Sequence, residues 1–317
     1  MPVSYADKLK RKERQLFELL PGYACNSNCR FCSINPANRV INGTTKDLLQ
    51  TIFQAKRDGF KYLGIGGGEP TIRKDLLTLI SFAKRLEFDV IRIETNGIAL
   101  AYPDYCQRLV DAGLDFVKIS IHSHKAKIHD FLTRVPGSFG NILKAIENLQ
   151  RLKVRIEINT IVNKVNYRSY PQFINFFTKM GIGSFVIIYP LYTGRMIQQW
   201  RKIGVSIKES IPYIKRALDL VDALELDKGI VLNIPPCSLP GYENKIAELN
   251  PFNTKVGAPD ITIESVDYNR IKAKTKFKSC LKCIYFENCE GIWNDYLKFF
   301  GDEEFRPVSF RNEKRKN

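Results

Sequence analysis

Three closely spaced cysteines constrain this chain more than any other feature of its sequence. Cys25, Cys29 and Cys32 follow the spacing C-x3-C-x2-C within the stretch GYACNSNCRFCS. Thiolates this close can share one metal cluster, whereas structural zinc usually takes four ligands in two paired sets. Three ligands on a four-iron cluster leave one iron open to chelate a small molecule. The alternatives are a zinc loop or a chance spacing.

The composition is that of a soluble globular protein. A chain of 317 residues suits one large domain with a smaller appendage. It is 44% hydrophobic and 26% charged, and no apolar run approaches the roughly eighteen residues of a membrane span. The first residues are charged and lack a secretory apolar core, so we expect a cytoplasmic protein with no membrane partner.

Apolar extended runs alternate with amphipathic runs along the chain. The pattern predicts strands at 15–21, 61–65, 90–94, 116–121, 154–162 and 184–188. It predicts helices at 45–57, 74–85, 104–112, 140–152 and 170–180, with an N-cap at Thr44 or Thr45. Strands separated by helices of this length predict a parallel sheet with the helices outside. Right-handed crossovers then curl six such units into a partial barrel, whose active site lies at the carboxyl ends of its strands.

Chemically useful residues follow these predicted strands. The cysteine loop follows the first strand, and the glycine-rich sequence GGGEPTIR follows the second. Glycines let the backbone approach a ligand closely, and Glu69 places one carboxylate beside them. Asn96 lies in a TNG sequence after the third strand, and Ser120 ends the fourth. Strand alternation puts Asn159 on the face that points into the barrel.

The cysteine loop followed at this distance by Gly67-Gly68-Glu69 resembles the signature of the radical S-adenosylmethionine (radical SAM) superfamily. The resemblance implies an α/β fold, a partial (β/α)6 TIM-like barrel. It also implies that a [4Fe-4S] cluster passes one electron to S-adenosylmethionine and a 5′-deoxyadenosyl radical results. The catalytic cluster ligands would be Cys25, Cys29 and Cys32. The cofactor-binding residues would be Phe31, Gly66, Gly67, Gly68, Glu69, Asn96, Ser120, Asn159 and Arg195.

Four further cysteines lie near the end of the sequence. Cys280, Cys283 and Cys289 give the spacing C-x2-C-x5-C, which resembles the opening of the SPASM pattern, although Trp293 stands where that pattern has its next cysteine. Adding Cys237 gives four thiolates, enough for one auxiliary [4Fe-4S] cluster of the shortened twitch type. A four-thiolate zinc site is the alternative. The remaining cysteine, Cys106, is predicted to be a small buried side chain in a helix.

The predicted domains are a basic extension at 1–14, a core barrel at 15–206 and a small α+β cysteine-rich region at 207–317. Within these, 194–206 is predicted to be irregular and 207–226 helical. The net charge of +16 is spread over the chain without a recognised RNA-binding motif, so a nucleic-acid partner is not expected. His122, His124 and His129 lie on separate short turns, which favours surface or capping roles over metal ligation.

Function beyond radical formation rests on the resemblance. The segment around His129, Arg134 and the turn 136–138 resembles the branch that includes the molybdenum-cofactor cyclase and peptide-modifying enzymes. The leading hypothesis is modification of a peptide or protein side chain, with flavodoxin or ferredoxin as the reductant. Radical chemistry on a small molecule, such as a nucleotide or an alcohol, is the alternative. A non-catalytic RNA-binding or scaffold protein with structural zinc is the alternative from another class.

Overall fold

The computed structural model describes residues 16–249 and 254–309. Its strands are β1 Leu16–Leu19, β2 Tyr62–Ile65, β3 Val90–Thr95, β4 Phe116–Ser120, β5 Arg155–Ile161, β6 Ser184–Ile188, β7 Lys228–Leu232, β8 Lys255–Gly257, β9 Thr262–Ile263, β10 Lys274–Thr275 and β11 Ile292–Trp293. The α-helices are α1 Thr45–Arg57, α2 Leu76–Arg85, α3 Pro103–Asp111, α4 Ala126–Thr133, α5 Ser138–Arg151, α6 Tyr170–Lys179, α7 Gly194–Ile203, α8 Ile207–Ala223, α9 Val266–Lys272 and α10 Asn294–Phe300. Short 3-10 helices lie at Pro36–Val40, Pro70–Ile72, Ile98–Ala101, Tyr167–Ser169, Pro236–Ser238, Glu243–Lys245, Ala247–Leu249 and Lys278–Lys282.

One sheet forms the barrel. Across the described ranges its nine strands lie in the order β7-β6-β5-β4-β3-β2-β1-β8-β9. Neighbouring strands from β7 to β8 are parallel, and only the short β9 runs antiparallel to its neighbour. The order of the first six strands is their order in the chain, with helices between them, as the alternating pattern predicts. The parallel α/β partial barrel is therefore confirmed, and short additional strands extend it on both edges.

Sequence signals within and directly before helix α1 explain why it forms. Thr44 caps α1 by accepting a hydrogen bond from the backbone N–H of Asp47 at 3.3 Å. Leu48, Ile52 and Ala55 then form its buried face at helical spacing. Both signals lie within a few residues of the element that they specify. The predicted boundaries of this helix, 45–57, are confirmed at both ends.

The two faces of the barrel strands have different chemistry. On β3, Ile91 and Ile93 are completely buried in the core that includes α2. Arg92 and Glu94 alternate with them and so face the barrel interior. Outward-facing positions thus carry the apolar core, and inward-facing positions are free to carry polar groups.

The base of the barrel interior is filled by alternating charges. Glu18 pairs with Arg92, Glu94 lies 3.5 Å from Lys118, and Glu157 lies 3.2 Å from Lys118 and 2.7 Å from Lys228. Burial raises the pKa of the Glu157 carboxyl, but the attraction of the two lysines outweighs it and leaves that pKa at about 2. A buried carboxylate with two cationic partners is fully paired. This row fills the barrel interior up to the cavity at the carboxyl ends of the strands, which Glu94 also lines.

Three features of the structure differ from the predicted pattern of elements. The segment 194–206, predicted to be irregular, contains α7, which begins at Gly194 with φ +53° and lies against the cysteine loop. The sequence pattern did not indicate this helix because its first residue is glycine, which is unfavourable in helices. The turn after β4 also contains α4, which was not predicted. Strands β7 and β8 belong to the predicted segment 207–317 yet pair with the barrel sheet.

The cysteine-rich region contains the two-stranded sheet β10-β11 and the helices α9 and α10. Tyr296 of α10 joins it to the barrel, because its hydroxyl accepts a 3.0 Å hydrogen bond from the N–H of Ile207. Its ring also packs edge-on against Tyr189 at 5.6 Å. The predicted extension at 1–14 lies outside the described residues. Among the described helices, none has the length and hydropathy to cross a bilayer.

Candidate active site

A cavity of about 280 Å³ opens at the carboxyl ends of the barrel strands. This is the end at which the sequence predicts the active site. Most of the predicted site residues line it: Cys25, Cys29, Phe31, Cys32, Gly67, Gly68, Glu69, Asn96, Ser120 and Asn159. Gly66 and the side chain of Arg195 do not. Arg195 instead anchors the cysteine loop, because its backbone N–H donates to the carbonyl of Cys32 at 2.9 Å.

Backbone hydrogen bonds from three elements fix the cysteine loop. The end of α4 holds it through Asn28 and Arg30, whose N–H groups donate to the carbonyls of Thr133 and Leu132 at 3.2 and 2.8 Å. On the other side, the N–H of Glu69 donates to the carbonyl of Ala24 at 2.8 Å. The loop therefore has a defined shape although it has little regular structure.

The three thiols of the loop have the character of cluster ligands. Burial, and then the nearby Cys32 and Cys25, raise the pKa of Cys29 to about 12. Burial also raises the pKa of Cys25. The N–H of Ser27, which donates to its Sγ at 3.3 Å, lowers that pKa but by less than burial raises it. Buried thiols that repel one another as thiolates need a cationic centre to hold them deprotonated. The donor set fits iron. In the described residues, no three His, Cys, Asp or Glu side chains converge on a single-ion position.

The glycine-rich turn packs directly on the cysteine loop. Gly67 has φ +100°, and a Cβ there would lie 2.5 Å from the carbonyl oxygen of Gly22. A Cβ on Gly68 would overlap the backbone of Tyr23 and Ala24. The N–H of Gly68 donates to the carbonyl of Gly22 at 3.0 Å. Glycine is therefore required here for close approach of two backbones, which brings the turn to the edge of the cluster cavity.

The Glu69 carboxylate accepts four hydrogen bonds from its neighbours in the site. Its Oε1 accepts hydrogen bonds from the Thr71 N–H at 3.0 Å, the Thr71 hydroxyl at 2.6 Å and the Thr95 hydroxyl at 2.7 Å. Its Oε2 accepts from the N–H of Asn96 at 2.7 Å. Burial raises the pKa of this carboxyl, and the four hydrogen bonds oppose that effect. Glu69 thus ties the turn after β2 to the turn after β3 while lining the cavity.

Two asparagines present amide groups at the cavity. The Asn96 side chain donates to Asn26 Oδ1 at 2.7 Å and to Ser27 Oγ at 3.1 Å, which joins the TNG turn to the cysteine loop. Asn159 projects from β5 into the barrel, as strand alternation predicts. Its Oδ1 is buried and has no hydrogen-bond partner among the described residues. A buried acceptor without a partner is suited to a ligand donor.

His122, which follows the fourth strand, lines the cavity although it is not among the predicted cofactor-binding residues. It is 3% exposed, and its ring packs edge-on against Phe31 at 4.3 Å. Its Nδ1 accepts a 3.3 Å hydrogen bond from the N–H of Ile161, so the neutral ring carries its proton on Nε2. Burial, and then the neighbouring His129, lower its pKa well below the usual value. The predicted surface position is wrong for His122 and for His129, which is 1% exposed. Each ring instead caps a backbone N–H, since His129 Nδ1 accepts from the N–H of His122 at 3.2 Å.

The structure brings the four C-terminal cysteines together. Cys237, Cys280, Cys283 and Cys289 line one small cavity of about 30 Å³. Burial, and then the neighbouring Cys289, Cys283 and Cys280, raise the pKa of Cys237 to about 12. Backbone N–H groups point at three of the sulfurs, from Phe277 to Cys280 at 3.3 Å, from Gly291 to Cys289 at 3.2 Å and from Val308 to Cys283 at 3.4 Å. Such donors stabilise thiolates that bind a metal centre.

Cys106 lies apart from both cysteine groups. It is completely buried on α3, and its Sγ donates to the carbonyl of Leu100 at 3.1 Å. The predicted role as a small buried side chain is confirmed.

Comparison with known proteins identifies the family of this site. The model of the radical SAM superfamily matches residues 19–177, half of the chain, including the cysteine loop and the glycine-rich turn. The chain belongs to the radical SAM superfamily. The partial barrel, the enzyme class, the [4Fe-4S] cluster and S-adenosylmethionine follow from that membership.

Relatives of known name share part or most of the sequence. A probable GTP 3′,8-cyclase of Sulfolobus acidocaldarius is 30% identical over 177 residues, which cover 55% of this chain and 56% of that protein. A GTP 3′,8-cyclase of Clostridium perfringens is 26% identical over 293 residues, which cover 90% of this chain and 84% of the relative. The chain thus matches little more than half of the first relative and most of the second.

Solved structures with the same fold extend over nearly the whole chain. Streptococcus suis SuiB bound to the precursor peptide SuiA has a TM-score of 0.69 at 17% identity, covering 96% of this chain and 78% of SuiB. The protein anSMEcpe with bound AdoMet and the Cp18Cys peptide has a TM-score of 0.65 at 16% identity, covering 90% of this chain and 94% of that protein. These likenesses establish the fold.

Proposed function

We propose that this radical SAM enzyme modifies a side chain of a peptide or protein. The observation that carries the proposal is the extent of the structural match to SuiB with its precursor peptide, which runs over 96% of this chain. The match includes the barrel and reaches the C-terminal cysteine region. Peptide substrates are bound by both of the structural neighbours described above.

The residues of the cysteine loop and of the strand ends have different roles in this proposal. Cys25, Cys29 and Cys32 would hold the cluster, which would supply the electron for cleavage of S-adenosylmethionine to a 5′-deoxyadenosyl radical. Glu69, beside the Gly66–Gly68 backbone, would accept a charge-assisted hydrogen bond from the amino group of the cofactor's methionine. Ser120, Asn96 and Asn159 offer hydrogen bonds to its polar groups. Phe31 packs on His122 and forms an apolar part of the cavity wall.

The C-terminal cysteines hold an auxiliary [4Fe-4S] cluster in this proposal. Four thiolates around one cavity supply its full ligand set. Burial raises the pKa of Cys289, and the N–H of Gly291 and the charges of Lys276 and Lys274 oppose that rise. Each of Cys280, Cys283 and Cys289 receives a backbone N–H hydrogen bond. Zinc is the chemical alternative for four thiolates, but it needs sulfurs that converge on one ion, and no three Cys side chains of the described residues do so.

Nucleotide chemistry is the second candidate function. The 26% identity to a GTP 3′,8-cyclase over 90% of this chain supports it, because that likeness is in sequence and includes the C-terminal half. The surplus of basic residues suits a phosphate substrate as well as an acidic peptide. Neither charge nor fold separates these two substrates.

A paired substrate assay separates them. Anaerobically reconstituted protein with dithionite and S-adenosylmethionine is incubated with a library of short peptides, or with GTP. We expect a mass change in a peptide and none in GTP. The matched control is Cys29→Ala, which should modify neither substrate because it has lost a cluster ligand. Conversion of GTP without any peptide change would replace the proposal by the second candidate.

A further inference from the structure

A separate cavity of about 230 Å³ lies beside the barrel mouth. It is formed where the loop after β5 meets the end of α7 and the end of α10. The residues that matter here are Lys164, Arg168, Trp200, Arg201, Glu209 and Phe300. None of them lines the cavity of the cysteine loop. This second cavity is called the cationic pocket below.

Backbone contacts give the cationic pocket a defined shape. The N–H of Lys164 donates to the carbonyl of Ile203 at 2.8 Å, which fixes the loop after β5 on the end of α7. The N–H of Gly204 donates to the carbonyl of Trp200 at 2.6 Å. A Cβ on Gly204 would lie only 2.5 Å from that oxygen. The half-buried Trp200 ring packs on Phe299 at 5.1 Å and forms an apolar wall.

Positive charge outweighs negative charge in this pocket, because three cationic side chains and one carboxylate, that of Glu209, line it. Lys164, Arg168 and Arg201 are exposed, and within residues 16–249 and 254–309 none has a carboxylate at ion-pair distance. Arg201 lies over the Trp200 ring at 5.5 Å. The carboxylate of Glu209 is engaged elsewhere, because it accepts from the N–H and the hydroxyl of Ser206 at 3.2 and 3.0 Å. Three cations beside an indole suit an anion on an apolar stem.

The cationic pocket is connected to the active site through shared elements. Asn166, in the loop after β5, donates to the carbonyl of His122 at 2.9 Å, and His122 lines the active-site cavity. Helix α7 begins against the cysteine loop at Arg195 and ends at the pocket. Its ten residues span roughly 15 Å at about 1.5 Å per residue. The pocket and the cluster loop are thus separated by one short helix.

The volume of the cationic pocket and its distance from the cysteine loop indicate which ligand it binds. The cavity is smaller than the roughly 300–1,000 Å³ of sites for whole small molecules, so it suits a single side chain. An extended peptide advances about 3.3 Å per residue and crosses this distance in four or five residues. We propose that the cationic pocket binds a glutamate or aspartate side chain of the peptide substrate, four or five residues from the residue that is modified. This inference rests on the proposed function and names its substrate as an acidic peptide.

Tryptophan fluorescence tests the pocket without any turnover. The chain has two tryptophans, so Trp293→Phe leaves Trp200 as the only indole reporter in the full-length reconstituted protein. The probes are a short glycine-alanine peptide with two adjacent glutamates and the same peptide with glutamines. We expect a saturable change with the glutamate peptide, binding at least roughly tenfold weaker for the glutamine peptide, and the same loss in Lys164→Gln/Arg201→Gln.

Three controls make the result specific. Trp200→Phe, which keeps Trp293, should give no signal, and Lys127→Gln, an exposed lysine of α4, should leave the affinity unchanged. Equal binding of the two peptides, or no effect of Lys164→Gln/Arg201→Gln, overturns the inference. Tighter binding of GTP than of the glutamate peptide also overturns it and assigns the pocket to phosphate. Because this readout needs no peptide modification, failure of the paired substrate assay leaves it interpretable.

Discussion

Replacing Glu69 by glutamine separates cofactor binding from cluster assembly. The wild-type carboxylate accepts four hydrogen bonds, three at Oε1 and one at Oε2. In Glu69→Gln one oxygen becomes an NH2 group, which then faces a donor. The smallest loss occurs when that group faces the N–H of Asn96, because only one hydrogen bond is broken there. The amide keeps the shape of the side chain and the bonds to Thr71 and Thr95.

The magnitude follows from the lost charge. A hydrogen bond to a charged group contributes roughly 1.5–3 kcal/mol, so the affinity for S-adenosylmethionine should fall roughly ten- to a hundredfold. Iron content should stay near wild type, because Glu69 is not a cluster ligand. Titrating the cofactor against the reduced cluster by electron paramagnetic resonance measures both quantities in one sample. Glu94→Gln is the matched control, since it makes the same change in the same cavity without touching Asn96.

Two results would refute this reasoning. Loss of iron in Glu69→Gln would make its role structural, as the tie between the turns after β2 and β3. Unchanged cofactor affinity would mean that the glycine-rich turn serves a different ligand. An equal loss of affinity in Glu94→Gln would show only that the cavity needs negative charge.

Three further predictions concern other groups. Reconstituted protein should carry about eight irons and, after replacement of Cys25, Cys29 and Cys32 together, about four, whereas zinc found by metal analysis would replace the auxiliary cluster. The pKa of Glu157 is about 2 in the folded protein against an ordinary 4.5, so its ion pairs stabilise the fold fully above pH 4.5 and lose that effect as the pH falls towards 2. Glu157→Gln should therefore reduce the free energy of unfolding near neutral pH by roughly 3 kcal/mol. An unchanged acid denaturation curve would contradict this. His122→Phe keeps the ring but removes the Nε2 donor, so turnover should fall roughly tenfold at wild-type iron content; full activity would show that the cavity does not use this donor.

The sequence predicted those features whose signals are local. Helix α1 carries both its cap, Thr44, and its apolar face within its own length, and its boundaries were correct. The cysteine loop and the glycine-rich turn each occupy a few consecutive residues at the end of a strand. Strand alternation was enough to place Asn159 in the cavity.

Features that depend on distant contacts were missed. His122 is buried because Phe31 and His129 pack on its ring, and neither contact is visible in the turn that carries it. Helix α7 begins at a glycine that packs on Ser33, far away in the chain. Two of the four hydrogen bonds to Glu69 likewise come from Thr95, at the end of the next strand, and from Asn96 just after it. Short edge strands such as β8 have too few residues to show a period.

The formation of 5′-deoxyadenosine tests the central claim most directly, because it reports cofactor cleavage at the cysteine loop whatever the substrate. Reconstituted wild-type protein is compared with Cys29→Ala and with Cys106→Ala, which removes a buried thiol outside both cysteine groups. The account predicts that dithionite and S-adenosylmethionine yield 5′-deoxyadenosine with wild type and Cys106→Ala, and none with Cys29→Ala. Product formation at the wild-type rate in Cys29→Ala would contradict it.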